Sequence, residues 1–143
     1  MENISVIVGK EFPKKVIPLI DCAKQTIKAV VYDWRWYSND PGNAVQLFNQ
    51  SIIRAVRRGV KVEVIANNDK IVSVLNDNGI VAKKIKDIGL IHAKLMIIDD
   101  NIVIMGSHNY THSAFFANQE ISVALKNCEA VADFNLFFKS LWS

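Results

Sequence analysis

A chain of 143 residues, half of them hydrophobic and 22% charged, is long enough to own a core and too apolar to be a disordered tail. Its longest apolar runs, such as "AVVY" and "LMII", fall far short of a bilayer span, and "MENISVIVGKEF" holds no stretch of signal-peptide length, so a cytoplasmic globular protein without stable membrane association is expected. A net charge of +3 favours a polyanionic partner only mildly, and Cys22 and Cys128 are too few for a disulfide framework and lack metal-ligand spacing.

No repeat and no Pro/Gly/Ser-rich linker divides the chain, so residues 1–143 are expected to fold as one domain. "ISVIVG" alternates as a strand does. A helix is predicted over "EFPKKVIPLIDCAKQTIK", where Phe12, Val16, Leu19, Ile20, Ala23 and Ile27 recur at helical spacing; Pro13 suits an early position, while Pro18 predicts a kink or a later start. "AVVYDW" reads as the next strand, and "SNDPGNA" as a turn before the helix "AVQLFNQSIIRAVRRG", which Gly59 ends. "VKVEVIA" alternates, "DKIVSVLNDNG" is a short helix closed by Gly79, and "IVAKKIK" is a strand before a loop. Two apolar runs, "HAKLMIID" and "IVIMGS", then form a hairpin, "EISVALK" adds a strand, and "CEAVADFNLFFKSLW" is an amphipathic terminal helix. Alternating strands and helices predict an α/β fold, a mixed β-sheet flanked by helices on both faces in an αβα sandwich.

The hairpin concentrates polar chemistry. A two-residue turn at Asp100-Asn101 sets Asp99 opposite Ile102, His92 opposite Asn109 and Lys94 opposite Ser107, all four of the latter on one face. A turn at Asp99-Asp100 keeps His92 and Ser107 together, whereas a three-residue loop breaks the derivation. Such a face suits an oxyanion: Lys94 supplies a charge, Ser107 and Asn109 neutral donors, Gly106 close backbone approach, and His92 a nucleophile or proton carrier near neutral pH. Singly, each has an ordinary structural reading. Jointly, five fixed residue types at fixed spacing arise by chance on the order of once in ten thousand such sequences.

These residues resemble the phospholipase D superfamily, whose signature is His-x-Lys, four residues, Asp, six residues, Gly-Ser. Here it is carried by His92, Lys94, Asp99, Gly106 and Ser107, with Asn109 at the associated asparagine and Asn118-Gln119-Glu120 at the family's Asn-x-Glu element. Most members hold two motifs; this chain holds one, and so resembles the small bacterial endonucleases of the superfamily that pair as homodimers. The resemblance implies a phosphodiesterase acting on nucleic acid, with DNA or RNA left open, and needing no metal or other cofactor. His92 of one copy would attack phosphorus while His92 of the other protonates the leaving oxygen. Lys94, Asn109 and Ser107 would hold the phosphate, Glu120 would orient His92, and Asp99 would support from near the turn.

"YDWRWYSNDPGN" is the second candidate region. Trp34 and Trp36 with Tyr32 and Tyr37, around Arg35, could stack on bases and meet phosphates at the rim, although alternation also allows Tyr32, Trp34 and Trp36 to pack into core or interface. Arg54, Arg57 and Arg58 share a helix face that either contacts nucleic-acid backbone or is simply solvated. Two rivals stand beside the nuclease reading: a phospholipase, because lipids offer the same phosphodiester, and a nucleic-acid-binding module without turnover.

Overall fold

The computed structural model describes residues 3–143. In chain order the elements are β1 (Ile4–Val8), α1 (Glu11–Asp21), β2 (Thr26–Val30), α2 (Ala44–Arg57), β3 (Lys61–Ile65), α3 (Asp69–Asp77), β4 (Val81–Lys83), β5 (Leu95–Ile98), β6 (Ile102–Gly106), β7 (Ile121–Lys126) and α4 (Ala130–Trp142), with a single π-helical turn at Ser113–Ala117. The strands form one mixed sheet in the order β1-β7-β6-β5-β2-β3-β4. β2, β3 and β4 run parallel through the crossovers α2 and α3, whereas β5, β6, β7 and β1 meet their neighbours antiparallel.

The expected αβα sandwich is what the chain adopts. On one face, Phe12, Val16 and Ile20 of α1, Phe48 and Ile52 of α2 and Leu75 of α3 bury against Ile27, Val62, Val64, Met96 and Ile104 of the sheet. On the other, Val131 and Phe138 of α4 cover Val30, Ile65, Ile97 and Val103. Asn43 and Asn68 cap α2 and α3 with side-chain oxygens that accept backbone N–H bonds, and Gly59 and Gly79 follow those helices in the left-handed region.

α4 leaves one end of its face bare. Ile4, Val6 and Val8 of β1 pair with Leu125, Val123 and Ile121 of β7 on that side, and Ile4, Val6, Val8 and Ile121 are all exposed. The outer edge of β1 is treated differently. Val8 N–H donates to Glu11 Oε1 (2.9 Å) and Val6 C=O accepts from Lys15 Nζ (3.0 Å), with Glu11 and Lys15 also bridged at 3.3 Å.

Two expectations are corrected. The first helix stops at Asp21 instead of running through "TIK", because Thr26–Val30 pairs with β3 on one side and β5 on the other; Ile27 reaches the core at strand spacing. Pro18 is tolerated inside α1, within the last turn. The strand expected over "IVAKKIK" shortens to Val81–Lys83.

Candidate functional site

The hairpin register differs from both alternatives read from sequence. Ile98 pairs with Ile102 and Leu95 with Met105, so the loop holds three residues. Asp99 (φ 54°) and Asp100 (φ 51°) make a tight left-handed turn closed by Asn101 N–H to Ile98 C=O at 3.0 Å, and Asn101 adds the extra residue. His92 and Lys94 lie before the first residue of β5, and Ser107 and Asn109 after the last of β6. Ladder alternation therefore does not place them. Contacts between the segments that leave the sheet do.

Asn67, just past β3, donates to the carbonyls of Ile91 (2.7 Å) and Tyr32 (3.3 Å), and so clasps the segment entering β5 to the one leaving β2. His92 then lies against Tyr32, with ring centroids 4.6 Å apart and planes at 46°. Lys94 Nζ is 3.0 Å from His92 Nδ1 and 5.6 Å from the centre of the Tyr32 ring. An ammonium only donates, so Nδ1 accepts and the ring proton sits on Nε2. Burial lowers the Lys94 pKa, against the opposing charge of Glu120.

The segment after β6 joins this end of the sheet. Asn109 Oδ1 accepts from Asp33 N–H (3.0 Å), Tyr110 N–H donates to Asp33 C=O, and Arg35 N–H donates to Tyr110 C=O, the last two forming a parallel bridge of Tyr110 with Trp34, two residues beyond Tyr32. With its carbonyl engaged, Asn109 keeps its NH2 as a donor. Ser107 Oγ accepts from Ile121 N–H (3.0 Å) and donates to Ile121 C=O (3.3 Å) beside Glu120. Glu120 accepts from Asn118 Nδ2 (3.0 Å) and makes no hydrogen bond to His92 of its own chain.

The structure thus brings His92, Lys94, Ser107, Asn109 and Glu120 to the carboxyl end of β2, where parallel strands commonly receive ligands. Asp99 is at the opposite end. Its carboxylate accepts from the N–H groups of Lys24, Gln25 and Thr26 at 2.7–3.2 Å; burial pushes its pKa up, but these bonds outweigh burial and hold it below the usual value. Gly106 (φ 155°) does approach a backbone closely, but that of β7: a Cβ there would lie 2.4 Å from Ser122 Cα.

The other candidates separate. Trp34 is core, 3% exposed, with Nε1 donating to Asn49 Oδ1 at 2.6 Å, so it backs the 32–40 segment and offers a ligand little surface. Arg35 is exposed and paired with Asp33 at 2.9 Å, and Trp36 is half-buried beside it. Arg57 and Arg58 are corrected too, because α2 runs away from the site. Arg58 donates to the carbonyls of Ile20 and Ala23, Arg54 pairs with Asp21, and Arg57 shares that far end.

Spacing alone does not place Tyr32 against His92 and gives His108 no role. Tyr32 was grouped with Trp34 and Trp36 by alternation, but the strand ends at Val30 and period two ends with it. His108 is 1% exposed, stacked on Phe12 at 4.5 Å, with Nε2 at 2.9 Å from Gly9 C=O and Nδ1 at 2.7 Å from Ser122 Oγ. A carbonyl only accepts, so Nε2 carries the proton and Nδ1 accepts from Ser122. Its one sequence signal was its place between Ser107 and Asn109. Among the described residues, no three His, Cys, Asp or Glu side chains are grouped to hold a metal ion, and no helix is long and apolar enough to cross a membrane.

The family described as cardiolipin synthase, PLD-like domain, matches residues 16–142. The mitochondrial cardiolipin hydrolase of Mus musculus is 33% identical over 107 residues, which cover 71% of this chain and 45% of that protein. Phospholipase D Y of Dictyostelium discoideum is 31% identical over 111 residues, covering 69% of this chain and 25% of that one. The chain spans less than half the length of these curated relatives. Among solved structures, the phospholipase D family member Nuc of Salmonella typhimurium superposes with a TM-score of 0.79 at 23% identity, over 97% of this chain and 94% of that chain. NucT of Helicobacter pylori gives 0.77 at 21% identity, over 96% and 94%. At these identities the structural likeness speaks to the fold.

Proposed function

Since the chain belongs to the phospholipase D superfamily, through its cardiolipin synthase, PLD-like domain family, we propose that it is a phosphodiester hydrolase that cleaves nucleic acid through a phosphohistidine, without a metal ion, at a site completed by a second copy of itself. The observation that carries this reading is the contact of His92 with Lys94 at the carboxyl end of β2, with the Ser107, Asn109 and Glu120 segments converging there. In this reading Lys94 leaves Nδ1 for the nonbridging phosphate oxygens, where its charge offsets what develops in the transition state, Asn109 adds its NH2 as a donor, and the Ser107 hydroxyl adds another on turning from the Ile121 carbonyl. The ring proton must then move to Nδ1, with a carboxylate accepting a hydrogen bond from Nδ1–H, so that Nε2 is free to attack. Glu120 does not reach His92 within its own chain, and Glu120 of a second copy fits that task.

The chemistry balances as two displacements. Nε2 of His92 forms a bond to phosphorus as the P–O bond to the leaving oxygen breaks, and that oxygen takes a proton from the His92 imidazolium of the second copy. Water then attacks phosphorus, gives its proton to that second imidazole, and the P–N bond breaks. The two imidazoles start in different charge states, one neutral to attack and one protonated to donate.

Phospholipid hydrolysis is the second reading, favoured by the similarity to a cardiolipin hydrolase and a phospholipase D and by the bare apolar face of β1 and β7, which would suit a lipid surface. A nicking assay on plasmid and oligonucleotides in excess EDTA, run beside release of headgroup from cardiolipin vesicles, separates them. Cleavage of nucleic acid that survives EDTA and falls by several orders of magnitude in His92→Ala is the expected result. Vesicle hydrolysis with nucleic acid left intact overturns the nuclease reading in favour of the lipid one.

A further inference from the structure

Beside His92 lies a groove of about 630 Å³, walled by the 32–40 segment and floored by Ile71 and Val74 of α3. Tyr32 belongs to both places, since its ring meets the His92 ring and also lines the groove. The lining is rich in rings, with Trp36 and Tyr37 half-buried, and bears Ser38, Asn39 and Asn68 as polar groups. Its charges cancel: Asp33 and Asp40 face Arg35 and Lys70, and Arg35 is already held by Asp33.

Buried polar side chains hold this wall in shape. Gln46 (3% exposed) accepts from Tyr37 N–H at 2.8 Å, and Asn49 (0% exposed) donates to Arg35 C=O at 3.0 Å while accepting from Trp34 Nε1. Asn49 Nδ2 also donates to Gln46 Oε1 at 3.0 Å, so the two carboxamides form one connected network. Burying amides for this end is costly unless they are all paired, and the result is a rigid aromatic rim and not a mobile loop.

An electroneutral, ring-lined groove does not suit a phosphate, and its amides and hydroxyl do not suit an acyl chain. A nucleobase has the matching chemistry: flat, uncharged, and rimmed with hydrogen-bonding groups. We propose that this groove is a nucleoside-binding subsite that seats one unstacked base next to the scissile phosphate, which makes single-stranded nucleic acid the preferred substrate. The assignment rests on the nuclease reading above and narrows it, because a base paired in a duplex is not free to enter.

Two measurements test it. In ¹H–¹⁵N spectra, thymidine 5′-monophosphate should shift the Trp36 indole N–H, and inorganic phosphate alone should not. For turnover, the wild type is given a single-stranded oligonucleotide with one cleavable linkage, and the same strand with abasic residues on both sides of that linkage. KM should be about 10-fold lower for the intact strand, in line with the stacking energy of one base. That preference should shrink toward unity in Trp36→Leu and return in Trp36→Phe. The proposal is overturned if Trp36→Leu raises KM equally for both strands, if duplex is cleaved as well as single strand, or if nucleotide leaves the indole signal in place. Failure of the nuclease reading looks different: the wild type then cleaves neither strand, whether or not the indole shifts.

Discussion

His92 is held by two neighbours of opposite character, a ring against its face and an ammonium at one nitrogen, and each makes a separate prediction. Losing the ring in Tyr32→Leu should lower kcat about 10-fold or more by letting the imidazole leave its attack geometry, whereas Tyr32→Phe should stay near wild type; a KM that rises with kcat unchanged would mean that Tyr32 contacts only substrate. His108 is the other residue whose protonation the fold dictates. Burial lowers its pKa, with the Gly9 carbonyl and the charge of Glu120 opposing, so the folded chain keeps it neutral while the unfolded chain takes up a proton near the ordinary value of 6.5. The unfolded state therefore binds more protons in acid, and this contribution to stability is fully present above that value and is lost as pH falls through it. Thermal melts should show Tm falling from about pH 7 to about pH 5, and the slope should flatten in His108→Phe. That variant keeps the stack on Phe12 but strands the Ser122 hydroxyl and the Gly9 carbonyl, at a cost of about 1–3 kcal/mol at neutral pH. The Asp99 carboxylate, depressed below 3.8, acts only in stronger acid and does not blur the test.

Among the elements, the hairpin of β5 and β6 shows where sequence reading succeeds and where it stops. The apolar alternation of "LMII" and "IVIM" and the polar turn between them were legible because period two is a local property of a paired strand. The register was not, since Asp99 and Asp100 both tolerate positive φ and nothing local says whether Asn101 joins the turn or the strand. His92, Lys94, Ser107 and Asn109 could be named from their spacing, yet what gathers them is the clasp of Asn67 and the bridge from Asp33 to Asn109 and Tyr110, contacts between residues far apart in the chain. Trp34 and Arg58 failed as site candidates for the same reason, because composition shows a ring or a charge but not the carboxamide or carbonyl that already occupies it. Gly106 tests the element directly. Its hydrogen stands where any Cβ would strike the Ser122 backbone, so Gly106→Ala should force β6 and β7 apart and cost at least about 3 kcal/mol, read as a lowered urea midpoint.

For the molecule as a whole, the proposed shared site requires a second copy, and the apolar face left bare by α4 adjoins the site through Ile121, the neighbour of Glu120. Sedimentation should give twice the 16.1 kDa chain mass. A charge set in that face, Val6→Asp, should yield the single-chain mass and lose nuclease activity together, while a fully active single chain would remove the need for a shared site. The outer edge of β1 has a further consequence. Glu11 and Lys15 of α1 occupy the N–H of Val8 and the carbonyl of Val6, so a strand from another molecule meets a ladder interrupted at two of its groups even though apolar side chains stand beside it. Copies can meet face to face without zipping edge to edge. The pair of side chains thus acts as a guard against fibre growth, and concentrated solutions of Glu11→Ala, Lys15→Ala protein should form thioflavin-positive aggregates under conditions in which the parent stays clear.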